Sequence, residues 1–478
     1  MAFAGLRTVE PFGVRIERSG AVTLSSGLSA IPVTDSLGRR IAMVYGVVLA
    51  GWMSPGLALG PAGIVADFPV QAEGEFVRRV LHGLHGMFLA VTEGHLGRYL
   101  HPDFGGSIPI VWCHETGIIG SSADHVLDEG SYQKRFLKER YQRMILAEGH
   151  GWITGTLTAH EGVSRLLPGH ALDLDRLVAH RVWPLAGDLA MDMSLEDAAL
   201  AAGLAIRGHV EAAAREHHAA ITMTAGFDSR ILIAAARTVK DRIGFVTFGQ
   251  LHEGLDQDMS ATMSAALGLQ HHLLPIIDAS PEDQAHWERL VGHCMREVNR
   301  RIYPTLAAVP YDLILTGMYG EIGRARLYRQ DIATINNQPA TVPFVLSRLT
   351  LPQEPAHVAD LEQWLDGLAW MPRSMVLDMA FNELKFGTWA LGQSRAQKAV
   401  KFSMMPFAQA AVQSAFMRTP PHVKGTEALF ARMAEILWPE AMQFPVNRYG
   451  DYRDRLGKFA KLTKRESLVR YVRDRFAR

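Results

Sequence analysis

The rhythm of apolar and polar positions changes near residue 190. Up to that point the apolar runs are short: IAMVYGVVLAGW from Ile41, GMFLAVTEG from Gly86, IPIVWCH from Ile108 and GIIGSSA from Gly117. Gly, Pro and Asp interrupt them, the spacing expected of strands joined by turns. Helical stretches are expected among them at Gly74 to Leu84 and Gln133 to Ala147. The segment Leu167-Pro168-Gly169-His170 followed by ALDLD reads as a turn entering an edge strand.

From Ser194 onward the period lengthens. SLEDAALAAGLAIRGHVEAAAREH predicts an amphipathic helix, with Ser194 as its cap and Glu196 and Asp197 in its first turn. Apolar runs of strand type follow at AAITMTAG, IGFVTFG, HHLLPII and YDLILTG. Between them lie helical segments, SRILIAAARTVK and DQDMSATMSAALG. Strands alternating with helices imply a parallel sheet buried on both faces. Beyond Pro343 the pattern is mostly helical. These readings divide the chain into an N-terminal domain, residues 1–188, and a C-terminal one, residues 189–478.

Composition narrows the function classes. A length of 478 residues suits two or three domains, and 48% apolar residues suffice for large cores. Lys plus Arg, 49, balance Asp plus Glu, 49, so no global charge draws the chain to nucleic acid or to an anionic membrane. Cys113 and Cys294 stand alone, which fits a reducing compartment and argues against a disulfide framework or a cysteine zinc site. No run is long enough to span a bilayer, and the first twenty residues lack the pattern of a signal peptide. The expectation is a soluble, cytoplasmic protein. The adjacent pairs His217-His218 and His271-His272 lack metal-ligand spacing, and Met404-Met405 reads as core filling.

The segment with the most chemistry is ITMTAGFDS, Ile221 to Ser229. A buried strand runs into a turn of small residues, and Asp228-Ser229 then opens a helix. Such a turn points backbone N–H groups and the positive end of a helix at phosphate oxygens. Asp228 adds a carboxylate for Mg²⁺, which commonly binds protein carboxylate together with substrate phosphate. The plain alternative is a strand–turn–helix with a capping Asp. In LILTGMYGEIGR, Leu313 to Arg324, a second strand ends at Thr316-Gly317 and Glu321 follows. Ligands collect beyond the carboxyl ends of parallel strands, so Asp228 and Glu321 are candidates to share magnesium. The alternative for Glu321 is a surface pair with Arg324 or Arg326.

In this order the motifs resemble the asparagine synthetase family. TAGFDS is similar to that family's pyrophosphate loop, Ser-Gly-Gly-x-Asp-Ser, and LTGMYGE to its Leu-Ser-Gly-x-Gly-x-Asp stretch. FVTFG, with Asp256 twelve residues before Gly268, resembles the second strand and its acidic helix start. RLLPGHALDLD resembles the segment joining the family's two domains. HPDFGGSIPIVWC with GIIGSSADHVL resembles paired strands of its amidohydrolase-like domain, and NELKFGTW and MPFAQAAVQSAFMRTPP resemble its helical region more loosely. The resemblance implies an α/β fold: an N-terminal Ntn-hydrolase-like αββα domain and a C-terminal ATP-pyrophosphatase domain with a parallel sheet and a helical end. It implies ATP and Mg²⁺, and adenylation of a small-molecule, sugar or peptide carboxylate followed by attack of an amine. On this basis Met223, Thr224, Ala225, Gly226, Asp228, Ser229, Phe248, Thr316 and Gly317 hold the nucleotide and its pyrophosphate, while Asp228 and Glu321 hold metal. A homodimer fits the same expectation.

The chain also departs from that family. Residue 2 is Ala where glutamine-using members expose a cysteine, so the amine is not expected to come from glutamine. Relatives without that cysteine include β-lactam-forming synthetases and lasso peptide cyclases. Thr224-Ala225 replaces Ser-Gly, which sets a methyl group where phosphate should approach, and Glu321 replaces Asp. The family's lysine after a proline is absent from Phe444-Pro445-Val446-Asn447-Arg448, leaving Arg448, Lys458 or Lys461 as substitutes. Glu383 is the candidate base for the amine, with a surface pair to Lys385 as its alternative. A catalytically impaired scaffold that keeps the nucleotide site is the competing reading. The basic stretch from Tyr452 to Arg478 reads as a solvated helix packed on its own domain, with docking to an anionic substrate, carrier or partner as the alternative.

Overall fold

The computed structural model describes residues 7–8, 13–25, 27–146, 151–249, 254–296, 299–399 and 401–455. Ala2, Lys458 and Lys461, and most of the basic tail, lie outside the described residues.

Up to Arg181 the chain builds a six-stranded and an eight-stranded sheet, both mainly antiparallel. The two-residue period of a strand decides which layer each side chain enters. In strand Gly86–Thr92, Met87, Leu89 and Val91 enter a core shared with Val14, Ile16 and Trp112 of the other sheet. Phe88 and Ala90 point the other way, onto Phe76, Val77 and Val80 of the helical segment 73–83. On the six-stranded sheet, Val111 and Cys113 face outward onto Ala123 and Val126 of the next helical stretch. The cores therefore define four layers, with helices outside and two sheets within.

Strand His170–Asp173 pairs with both Tyr99–Pro102 and Val178–Arg181, so it is internal. The edge is Val178–Arg181, a correction to the expected order. One alternating run, ALDLD, carries no information about a partner still to come.

The second half is organised around a five-stranded parallel sheet. Its order is His271–Leu274, Gly244–Phe248, Ala219–Thr222, Leu313–Leu315, Phe402–Met404. The central strands are buried, but His271–Leu274 is an edge with Leu273 exposed. Burial on both faces thus holds for the centre alone. Phe402–Met404 adds a strand within the stretch that the sequence pattern gave as mostly helical, because three residues are too few to set a period. Helix Leu195–Glu216 begins at Ser194, whose side chain accepts from the Asp197 amide as expected, and packs on helices Ala410–Arg418 and Ala428–Leu437.

The antiparallel layers and the parallel-sheet unit share one continuous core. Trp112, Leu166 and Trp183 belong to the same buried cluster as Leu290, Leu384 and Leu391. Among the described residues, no helix is long and apolar enough to cross a membrane.

Candidate functional site

The strand order turns around at Ala219–Thr222. Its two neighbours are the second and the fourth strands of the sheet in chain order, so the connections leave in opposite directions. A crevice opens beyond the carboxyl ends at such a reversal. The loops after Ala219–Thr222 and Leu313–Leu315 both reach it, and they carry Asp228 and Glu321.

The first loop is tied tightly to itself. The Thr224 amide donates to Ser229 Oγ at 3.2 Å, the Gly226 amide to Thr224 Oγ1 at 3.2 Å, and Ser229 Oγ donates back to the Thr224 carbonyl. The Ala225 amide donates to Asp256 Oδ1 at 2.8 Å, from the first turn of helix Leu255–Leu267. These three amides, expected to face phosphate, are therefore engaged within the protein. Ala225, whose methyl group replaces the expected glycine, is fully buried. Met223 is buried with its amide on the Val246 carbonyl, and Phe248 is half-buried at the end of the adjacent strand.

The second loop is shaped around Asp228. A Cβ on Gly317 would stand 2.7 Å from Asp228 Cβ, and one on Gly320 would stand 2.1 Å from Asp228 Oδ1. Only glycine lets the loop approach this closely. Glu321 and Arg324 sit on the same short 3₁₀ turn, Gly320–Arg324, where a spacing of three residues places side chains on one side. Arg324 pairs with Asp228 Oδ2, not with Glu321 as the surface alternative had it.

Several polar atoms in this crevice are left unpaired. Among the described residues, Asp228 Oδ1, Glu321 Oε2, Arg324 Nε and Thr316 Oγ1 are buried without a hydrogen-bond partner. Burial pushes the Asp228 carboxyl well above the usual carboxylate range; Arg324 opposes this, and the Glu321 charge adds to it. That mutual influence places both carboxylates in one electrostatic neighbourhood. Unpaired buried groups are costly, so a cluster of them marks a place where a bound polar or charged group would be stabilising. The carboxylate oxygens call for a cation and the Arg324 N–H for an anion, a combination that a metal-bound phosphate supplies. No set of three or more His, Cys, Asp or Glu side chains suited to a metal occurs among the described residues. A two-carboxylate Mg²⁺ site completed by phosphate oxygens needs no such set.

The C-terminal segment also reaches the crevice. The Asn447 amide donates to the Ala225 carbonyl at 2.9 Å. The fully buried Arg230 anchors this strap by donating to the carbonyls of Ala441, Phe444 and Pro445. Further along, Arg453 stacks over Tyr449 and pairs with Asp258 at 2.9 Å. Arg448 is exposed, and the residue contacting the loop is Asn447.

Glu383 differs from both of its expectations. It is fully buried on the π-helical segment Ala380–Ala390 and is not a surface partner of Lys385. Arg181 of the edge strand grips both of its oxygens, at 2.5 and 2.8 Å, and Trp364 Nε1 donates to Oε2 at 2.6 Å. A fully buried carboxylate that already accepts three hydrogen bonds, two of them from one guanidinium, serves as a tie between the two halves and is closed to an incoming amine.

One contributor, Arg324, was legible only as a surface residue, although its three-residue offset from Glu321 was a usable signal. Compared with protein-family models and with curated proteins, the chain matches none.

Proposed function

We propose that this protein is an ATP-dependent, AMP-forming amide ligase acting at the crevice between the Asp228 and Glu321 loops. The carrying observation is the group of unpaired buried atoms there, carboxylate oxygens beside a guanidinium N–H. The reading is of the asparagine synthetase type, with an N-terminal half of the Ntn-hydrolase type.

In this reading Mg²⁺ supplies charge neutralisation to a bound triphosphate, held by Asp228 and Glu321. Thr316 donates its free hydroxyl, and Arg324 leaves Asp228 to donate to phosphate oxygen. The substrate carboxylate attacks the α-phosphorus, the bond to pyrophosphate breaks, and an acyl-adenylate forms. An amine then displaces AMP and loses a proton, giving the amide. The protein's contribution is positioning and oriented charge. Both cysteines are buried, in keeping with an amine that does not come from glutamine hydrolysed by this chain.

The test is carboxylate-dependent exchange of pyrophosphate into ATP, run over a panel of small, sugar and peptide acids. Exchange lost in Asp228→Ala supports the ligase. A wild-type protein that binds no nucleotide at saturating Mg²⁺ overturns it. A non-catalytic scaffold is the second reading, favoured by the Arg324–Asp228 pair and by the engaged amides of the first loop. It requires biological activity to survive Asp228→Ala.

A further inference from the structure

Three turns of the N-terminal half meet around a cleft of about 180 Å³. They follow the strands Val14–Ile16, Val111–Cys113 and His170–Asp173, and no residue of the crevice lines the space between them. The floor is apolar. Ile16 and Ile119 are cross-strand partners in the six-stranded sheet and are buried, while Leu174 and Leu177 close the cleft from the eight-stranded sheet. Each sheet thus contributes one wall.

The rim is charged, and the charges do not cancel. Arg18, Arg98 and Arg176 line it, against Glu17 and Asp175. Arg98 occupies Asp175 at 2.7 Å, and Glu17 lies 3.9 Å from Arg15, which stands outside the cleft. Among the described residues, Arg18 has no ion-pair partner, and Arg176 reaches Asp173 only at 3.9 Å. Two guanidinium groups on one small cleft are therefore left with little or no compensation. Their supports are built in. The Arg18 stem packs over Gly117, with Cδ 3.4 Å from where a Cβ would stand. Asp173 Oδ1 accepts from the amides of Asp175 and Arg176, and the Asp173 carbonyl accepts from the Leu177 amide at 2.8 Å. Leu177 ends that turn with φ 57°, a left-handed conformation that an aliphatic residue keeps only where its surroundings enforce it.

We infer that this cleft is a second binding site, one for a small organic anion. Arg18 and Arg176 hold its phosphate or carboxylate head, and its apolar body rests on the isoleucine floor. A guanidinium fork matches two oxygens of either head. Apolar lining with a few oriented polar groups is the usual make-up of a small-molecule site. The inference is independent of the ligase reading.

Calorimetric titration of the full chain with phenyl phosphate and, separately, with phenylacetate tests this. Benzyl alcohol serves as the uncharged counterpart, and Mg²⁺ is left out. At least one anion is expected to bind with a Kd of about 1 mM or tighter, a value open to a ligand of this size, and the tighter of the two identifies the head group. Benzyl alcohol should bind at least about 10-fold more weakly. Arg18→Met and Arg176→Met should each weaken the anion about 10-fold, the order for loss of a charge-assisted contact. Arg215→Met, exposed on helix Leu195–Glu216, should leave it unchanged. A measurement on the unaltered chain guards against a variant that misfolds: the bound anion should protect Arg18 and Arg176 from phenylglyoxal, read by mass spectrometry. Binding of neither anion, full affinity in a folded Arg18→Met, or unprotected arginines at saturation overturns the inference. None of these results alters the exchange of pyrophosphate into ATP, which tests the ligase reading separately.

Discussion

Two carboxylate–arginine pairs in this molecule have opposite characters. At Glu383, both oxygens are occupied by Arg181 and Trp364, and the pair is sealed between the two halves. At Asp228, the guanidinium reaches one oxygen only, the other is buried and bare, and 23% of the side chain remains accessible. A carboxylate and an arginine thus make a rivet in one place and an open socket in the other. The difference lies in the neighbours. A tryptophan N–H completes the first pair, while two glycines and a second carboxylate keep the other incomplete.

The largest expected effect separates the two directly. Asp228→Ala should reduce magnesium-dependent binding of ATP by more than the roughly 10–100-fold that loss of a supporting group costs a metal site. Glu383→Gln should leave that affinity within a few-fold. Calorimetry on both variants checks this, and equal losses would erase the distinction.

Stability should show the reverse order. Arg181→Ala strands a fully buried carboxylate and should cost about 3–5 kcal/mol by chemical denaturation, the usual penalty for breaking a buried pair. Replacing Arg181 and Glu383 together by Met and Leu should recover much of it.

The pH dependence sharpens the open side. The folded-state pKa of Asp228 is raised, so its proton must leave before a metal can bind, and Mg²⁺-dependent affinity should rise as pH climbs through that raised value. The same group contributes stability that is fully present at pH values below its unfolded pKa and is lost as pH rises through the folded one. Asp228→Asn should flatten both trends in binding and in thermal melts.

Smaller effects follow from the loop. Gly320→Ala sets a methyl group against Asp228 Oδ1 and should cost about 1–3 kcal/mol, with weaker metal binding. Arg448→Ala, on an exposed side chain, should change stability by less than about 0.5 kcal/mol and leave affinity intact.

Much of this comparison was legible in the sequence. The strand runs ending at Met223 and Thr316, and the glycines after them, located both loops, although a plain strand–turn–helix with a capping Asp has the same pattern. Convergence of Asp228 and Glu321 then followed from where ligands gather on such sheets. What could not be read was partner choice over long separations. Glu383 and Arg181 are 202 positions apart, and no local pattern marks a carboxylate for an arginine on a distant edge strand. The engaged amide of Ala225 was hidden for a similar reason, since Asp256 arrives from helix Leu255–Leu267, whereas those of Thr224 and Gly226 are taken within the loop by Ser229 and Thr224. The strand Phe402–Met404 and the π-helical stretch were too short or too irregular to impose a period.

The continuous core has a consequence for motion. Units joined by a thin linker can rock about a hinge, but units that interleave tryptophan and leucine side chains and are riveted by a saturated ion pair cannot. Any change in access to the crevice would then fall to local pieces, chiefly the strap from Phe444 to Arg453, held at one end by Arg230 and at the other by Asp258. Displacing such a strap would shift a few residues over a rigid frame and leave the fold undisturbed.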